Sequence, residues 1–502
     1  MAQQTNWRDA ESKANQFAMD WGSQEPGGAI VAFDASGIRF AVANGLASLS
    51  SGASFTPKTV VRYASVTKHA FACLVLSHPE LIALDDPLGK HVPELKEPLA
   101  SVTVGQALDM SGGLPDAREC FTLLGLSVYT DTQAQPILDY LARLERLNYV
   151  AGTEVSYSNT GYRLVEAALE RRGIFFRDFI QTRSAALGVE MDAPDVWNDT
   201  VKGLAPGYWH DGKSWQLASA GLHISASGSM TGSAEALATW AKALMLGEGD
   251  YAGVLDALSA ERHLNDGRAT GYGLGLRTSM LGERSLVGHG GSHPGYKSHF
   301  LIDRKSGVGI AVVTNREDAN GFAIAFETLA TLLGEPLPTV ATSLPDGIYV
   351  AEAGPLWAEV NGSAITCLDA GETLYEDGDG WVSSRSASLP IRLKANGDAI
   401  EGWIGHVACR LDPAGNEPVS PALAGHWSSD EGASFKIENG ELIMGVGPTR
   451  SRMPLRGLGK GRYLFSLVDG PWKKRVCLHV IADNRVELVL SRARMIEYVK
   501  AG

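Results

Sequence analysis

The spacing of apolar and polar positions divides this chain into two textures. Over the first 335 residues helical spacing dominates, broken by a few strand-like runs. Trp7, Ala14, Phe17 and Ala18 form a loose stripe that predicts a helix near residues 1–20. Ala29–Asp34 and Ile38–Asn44 read as strands, and Ala35-Ser36-Gly37 between them has the chemistry of a hairpin turn. A helix with Phe71, Leu74 and Val75 on one face is predicted to start at about Ser65 and to be amphipathic. Further helices are expected from Val102 to Leu108 and over Pro136–Leu147, Tyr162–Arg171, Ala234–Leu246 and Ala319–Leu333. Gly271–Leu276 alternates as a strand would and lacks G-x-G-x-x-G spacing, so it is not read as a phosphate cradle. Phe300–Asp303 and Gly309–Asn315 predict two antiparallel strands, with His289 on a strand just before them.

From about residue 345 the helical period disappears, and short runs punctuated by Gly, Asp and Asn take over. Leu344-Pro345-Asp346-Gly347-Ile348-Tyr349 recurs in kind as Leu423-Ala424-Gly425-His426-Trp427. Each opens a segment with the regular turns of a small antiparallel barrel. The expected organisation is a first domain over residues 1–335, a Pro-rich linker over 336–345, and β-barrels over 346–417 and 418–502. One larger sandwich is the alternative to the two barrels.

A length of 502 residues allows roughly three domains, and 44% apolar residues supply ample core. The formal charge of −13 argues against a nucleic-acid binder, and Lys473-Lys474-Arg475 is a short, solvated basic run. Cys73, Cys120, Cys367, Cys409 and Cys477 are odd in number and scattered, which fits a reducing compartment better than a disulfide framework. The N-terminal residues hold no apolar signal region and no run reaches the length of a membrane span. The expectation is a soluble cytoplasmic protein without nucleic-acid or membrane partners.

Three polar stretches carry candidate chemistry. Ser65 and Lys68 are three residues apart, so hydroxyl and amine share a helical face at the positive end of the helix dipole. That is the arrangement a serine nucleophile needs, although S-x-x-K alone also describes a solvated helix start. Tyr157-Ser158-Asn159 lies in a polar loop ahead of a helix, where a capped turn would look much the same. His289-Gly290-Gly291 precedes a strand pair, and its glycines admit close approach to the backbone. A zinc site from His289, His293 and His299 is set aside, because Gly290, Gly291 and Pro294 forbid a helical H-x-x-x-H. No metal and no cofactor is expected.

Taken in order, Ser65-Val66-Thr67-Lys68, Tyr157-Ser158-Asn159 and His289-Gly290-Gly291 resemble the motifs of the penicillin-recognising serine hydrolases, which comprise class C β-lactamases, D,D-peptidases and D-aminopeptidases. Leu84-Asp85-Asp86-Pro87 and Ser111-Gly112-Gly113-Leu114-Pro115 look like further landmarks, and the resemblance covers about residues 25–335. It implies an α+β fold: a β-lactamase-like α/β sandwich with an antiparallel sheet, followed here by two small antiparallel β-barrel domains. H-G-G in place of K-T-G and the two C-terminal β-domains are most similar to bacterial D-aminopeptidases.

The resemblance implies an acyl-enzyme on Ser65, with Lys68 and Tyr157 sharing the abstracted proton and Tyr157 passing it to the leaving amine. Asn159 would bond Lys68 and the substrate amide, and His289 would orient the Tyr157 hydroxyl. The N–H groups of Ser65 and Ser292, beside Gly291, would form the oxyanion hole. Asp469, in a loop of the last β-domain, is the candidate partner of a substrate ammonium. Arg277 is the candidate partner of a substrate carboxylate, a role better suited to a carboxypeptidase. The expected function is release of N-terminal D-amino acids from small peptide, amide or ester substrates, with a homodimer allowed. A D-Ala-D-Ala-type carboxypeptidase or promiscuous esterase is the alternative within the same chemistry, and a silent binding protein is the alternative outside it.

Overall fold

The computed structural model describes residues 5–223 and 225–501. Six strands form the central sheet, in the order Gly37–Asn44, Gly28–Asp34, Val308–Thr314, Tyr296–Asp303, Arg284–His293, Arg277–Leu281. Every neighbouring pair is antiparallel. Gly28–Asp34 and Val308–Thr314 are buried on both faces because helices cover both. Side chains alternate across a strand, and Gly28–Asp34 sorts them into two cores. Ile30 and Ala32 pack with Ala10, Ala14, Ile324 and Leu329 of the Trp7–Asp20 and Gly321–Leu333 helices. Ala29, Val31 and Phe33 face the larger core with Phe71, Leu237 and Trp240. The result is a helix–sheet–helix sandwich, the expected architecture.

The helices expected over Ala234–Leu246 and Ala319–Leu333 are found at Ala234–Leu246 and Gly321–Leu333. The capping box of Thr103 and Gln106 starts a short helix, Val104–Leu108. Two expectations need correction. Gly271–Leu276 is not a strand: Gly271 and Gly275 take φ of +73° and +72°, which breaks the ladder, and pairing begins at Arg277. The helix after Ser65 is not amphipathic, since every residue from Thr67 to Val75 is buried. Its polar side is enclosed by the sheet, by neighbouring helices and by the Gly271–Leu276 loop.

Beyond residue 340, eight strands from Gly347–Ala351 to Val407–Pro413 close into a barrel. Nine more form the last sheet, whose edge strands are Ser451–Pro454 and Arg456–Gly459. Only Leu455 separates these two edges in sequence, so the sheet must curl into a nearly closed barrel. Two small barrels therefore replace the single sandwich held as the alternative. The two halves of the faint repeat open the first strand of each barrel, Gly347–Ala351 and Gly425–Ser428. Among the described residues no helix is long and apolar enough to cross a membrane, and the five cysteines are unpaired.

Both barrels are fastened to the sandwich. The amide of Asp116 donates to Arg492 O (2.8 Å) and Tyr498 Oη donates to Leu123 O (2.8 Å). Val155 N donates to Gly405 O (3.2 Å). The core of the last barrel, with Trp427, Phe435 and Tyr498, is continuous with the larger core of the sandwich.

A Cβ at Gly275 would lie 2.6 Å from the backbone C and O of Lys68. Gly275→Ala is expected to cost about 2–4 kcal/mol from strain and overlap and to displace the helix behind Ser65. Thermal unfolding should show a lowered midpoint and turnover should fall with it. Gly267→Ala, also at positive φ but with nothing within 4 Å, should cost only about 1 kcal/mol.

Candidate active site

The chain enters the site through Val61–Arg62, paired with Thr231–Gly232. Ala64 then adopts φ +50°, a left-handed conformation uncommon without glycine. One 3₁₀ turn, Ala64–Val66, places Ser65 half-buried at the mouth of the Thr67–Leu76 helix. Thr67 pins this turn: its Oγ1 donates to Ala64 O (2.7 Å) and accepts from Met230 N (2.9 Å). On the other side Gly291 lets its strand close against the turn, since a Cβ there would sit 2.0 Å from Tyr63 O.

Lys68 is wholly buried. Its Nζ donates to Asn159 Oδ1 (2.7 Å), Ser227 O (2.6 Å) and Ser65 Oγ (3.3 Å). Burial lowers its pKa from the ordinary lysine value, against the opposing influence of Tyr157. Asn159 is aimed by Asp116, whose Oδ2 accepts from the Asn159 amide (2.7 Å) and from Nδ2 (2.8 Å), leaving Oδ1 to face the lysine. Asp116 is itself the N-cap of the Ala117–Leu123 helix.

Tyr157 is buried, and its hydroxyl makes no regular hydrogen bond to another described residue. Lys68 Nζ lies 4.9 Å, Arg492 Cζ 4.5 Å and Arg277 Cζ 5.5 Å from its ring centre. Burial alone would raise the phenol's pKa, but Lys68 and Arg277, with the polar contact of Ser65, bring it below the ordinary tyrosine value. Lys68 and Tyr157 are thus both shifted down from their ordinary values, and each acts on the other's titration.

His289 does not bond Tyr157. Its Nδ1 lies 2.6 Å from Gly290 O, and its Nε2 lies 2.8 Å from Tyr272 Oη. A carbonyl only accepts, so Nδ1 holds the proton and Nε2 accepts from Tyr272. Burial, with Arg277 and Lys68 nearby, holds the imidazole pKa well below its usual value. The ring is neutral, and its centre is 6.3 Å from that of Tyr157. His293 and His299 are likewise pulled down by burial, His299 to about 3.

These groups border a cavity of about 1060 Å³, lined by Ser65, Tyr157, Asn159, Arg277, Gly291 and Ser292 and by residues of both barrels. Asp469 is not among its walls. Its carboxylate accepts from Ser127 Oγ (2.7 Å) and from the Val128 amide, so it holds a turn outside the cavity. The next residues of that hairpin, Pro471–Lys474, do line the cavity, and Trp472 stacks on the guanidinium of Arg118 at 3.7 Å. Arg277 lies against Tyr157 and Tyr272, so its charge is directed at the phenol.

Several lining residues escape the sequence reading. Asp116 directly follows Ser111-Gly112-Gly113-Leu114-Pro115 and carries an N-cap signal that could have found it. Arg492 and Glu372 come from strand-rich segments with no motif around them. Glu372, from the first barrel, has its pKa pushed up to about 7: burial in the cavity outweighs Ser386, Arg277 and Arg492 beside it.

The described geometry has known relatives. The chain is 25% identical over 445 residues to a D-aminopeptidase of Brucella anthropi, covering 81% of this chain and 79% of that one. It is 27% identical over 345 residues to a D-aminopeptidase of Gluconobacter oxydans, covering 64% and 62%. An octameric penicillin-binding protein homologue from Pyrococcus abyssi superposes with a TM-score of 0.55 at 18% identity, covering 98% of this chain and 100% of that one. D-amino acid amidase from Ochrobactrum anthropi SV3, complexed with D-phenylalanine, superposes at 0.52 and 21% identity, over 65% of this chain and 98% of that one. At these identities the two structures attest the fold alone. The family model described as beta-lactamase matches residues 13–333, more than half of the chain; the protein belongs to that family, within the penicillin-recognising serine hydrolases.

Proposed function

We propose that the protein releases N-terminal D-amino acids from small peptides, amides or esters through an acyl-enzyme on Ser65. The observation that carries this reading is the buried amine of Lys68, bonded to Ser65 Oγ (3.3 Å) and set against the ring of Tyr157 (4.9 Å) beneath a large cavity. A hydroxyl becomes a nucleophile at neutral pH only if a base takes its proton, and a phenol and an amine whose pKa values are both lowered supply that base. Ser65 Oγ attacks the carbonyl carbon while its proton passes to the Tyr157–Lys68 pair. The N–H groups of Ser65 and Ser292 receive the oxyanion, worth a few kcal/mol of barrier. The tetrahedral adduct collapses as Tyr157 returns the proton to the leaving amine or alcohol. Water, activated by the same pair, then cleaves the ester. Residues 1–335 carry this chemistry, while barrels over 346–417 and 418–502 wall the cavity. The unpaired cysteines support a cytoplasmic setting.

An exopeptidase working from the N-terminus must hold an ammonium. Glu372 replaces Asp469 as the group for this: Asp116, Glu119 and Glu317, which also line the cavity, are held by backbone N–H groups, whereas the donor on Glu372 is the side chain of Ser386, which an ammonium can displace.

Fluorophosphonate labelling followed by peptide mass mapping should place one adduct on Ser65, and Ser65→Ala should abolish it. D-alanine p-nitroanilide should turn over faster than the L-isomer. Cleavage confined to an N-acyl-D-Ala-D-Ala peptide would refute the aminopeptidase reading.

Glu372→Gln should raise KM for D-alanine p-nitroanilide about tenfold, the worth of one charged hydrogen bond. It should leave an N-acylated ester unaffected. Glu372 loses its proton as the pH rises through about 7, so KM for the free-amine substrate should fall over that range in the wild type and stay flat in the variant.

A further inference from the structure

The position that the family's lysine would occupy holds His289, which is buried, neutral and committed to Gly290 and Tyr272. A tyrosine that is to act as a base still needs positive charge close to its oxygen. Around Tyr157 the described charged and titratable groups are Lys68 on the Thr67–Leu76 helix, Arg277 on the edge strand of the sheet and Arg492 on the last barrel. Tyr162, Tyr272 and His289 are uncharged neighbours, and the carboxylates of Glu119, Asp116 and Asp369 face Arg492 from its other side. Lys68 takes part in the proton transfer itself and cannot be the fixed countercharge. The guanidiniums remain, because they do not titrate in the working range.

From this we infer that Arg277, together with Arg492 delivered by the C-terminal barrel, takes over the electrostatic role vacated at His289 and keeps Tyr157 ionised to receive the Ser65 proton. The hydrolase is then complete only with that barrel docked. The docking geometry is specific to this purpose. The amide of Arg492 donates to Glu119 Oε2 (2.8 Å), and its carbonyl accepts from the Asp116 amide (2.8 Å) and Asn148 Nδ2 (2.9 Å). Ser156, the residue before Tyr157, donates its hydroxyl to Ser491 O (3.2 Å). One turn of the barrel is thus bonded to the residue next to the base, to the residue that aims Asn159 and to Glu119 on the cavity wall. All four bonds use backbone atoms of Ser491 and Arg492, so the turn can hold its place when the Arg492 side chain is changed. The proton step balances simply: Ser65 Oγ–H breaks, Tyr157 Oη–H forms, and the negative charge moves from phenolate to the attacking oxygen. Arg492 is a positioning residue, acting on the reaction through Tyr157.

This inference rests on the reading of Tyr157 as base, and pH–rate profiles of kcat/KM with an N-acylated ester, which does not engage Glu372, separate the two. Arg492→Ala removes a positive charge, which raises the pH at which Tyr157 ionises. The acid limb should therefore move up by about one pH unit, with activity about tenfold lower at neutral pH and recovering on the alkaline side. Arg492→Lys should keep most of the wild-type profile. If Arg492→Ala does not fold, Arg492→Gln, which keeps a long polar side chain without charge, gives the same readout. A loss equal at every pH, or an unmoved acid limb, overturns the role of Arg492. Tyr157→Phe with wild-type activity would instead overturn the assignment of the base, and with it the proposed mechanism.

Discussion

A lysine with no exposure to water holds this site together. Removing an ammonium from water costs several kcal/mol unless its protons find acceptors. Lys68 finds three oxygens, and each is delivered by a different part of the chain. Ser65 comes from the strained turn at Ala64, Asn159 from the start of the Thr160–Glu170 helix, and Ser227 from the short Ser225–Gly228 helix. Each acceptor has its own fastening: Thr67 for the turn, Asp116 for Asn159, and Glu166 for the helix of Ser227, through the Ala226 amide at 3.0 Å. Loss of one acceptor leaves a buried donor unpaired, which is costlier than the loss of a bond on the surface. The same burial that demands these partners also destabilises the charged amine, so the requirement for packing and the lowered pKa of Lys68 are one physical fact.

The local parts of this arrangement are legible in the sequence and the long-range parts are not. Ser65 and Lys68 are one helical turn apart, Tyr157 and Asn159 share a loop, and each pair can be read from spacing. The two faces of Gly28–Asp34 follow from alternation, and the barrels follow from turn spacing. Failures occur where tertiary contact decides. The Thr67–Leu76 helix has polar residues on its second face that would be solvated in isolation, yet His69 is buried and accepts from Trp240 Nε1 at 2.8 Å, 171 positions away. Gly271–Leu276 has a strand's alternation, but Gly275 must let the loop touch the backbone of Lys68. Asp469 has the right charge in the right loop, and only the fold shows that Ser127 and Val128 already occupy it. Arg492 sits 335 positions beyond Tyr157 (492 − 157), with nothing around it to announce the contact.

Charge placement explains why histidine is tolerated in the third motif. A lysine there would add a second titrating amine beside Lys68, whereas His289 gives its two nitrogens to Gly290 and Tyr272 and stays neutral. Positive charge comes instead from guanidiniums, which hold it at any working pH. Arg277 and Arg492 also lower the pKa of Glu372, against the larger effect of burial. One cluster of fixed charge therefore acts on the base and on the candidate ammonium site together, and the two functions are electrostatically coupled.

On the proposed reading, handedness cannot come from the reacting groups. Ser65, Lys68 and Tyr157 act on a carbonyl and its leaving group, and neither reports which way the substituents at the neighbouring carbon are arranged. Discrimination between mirror images needs separate places for the carbonyl, the ammonium and the side chain. The sandwich supplies the first, at Ser65 and Ser292. Glu372 of the first barrel supplies the second. The third falls to what remains of the wall, where Trp472 of the last barrel lies on Arg118 and Phe121 and Ile137 add apolar surface. Each barrel then contributes one of the places that the sandwich lacks, which gives a physical reason for the sandwich to carry two further barrels on the rim of its cavity.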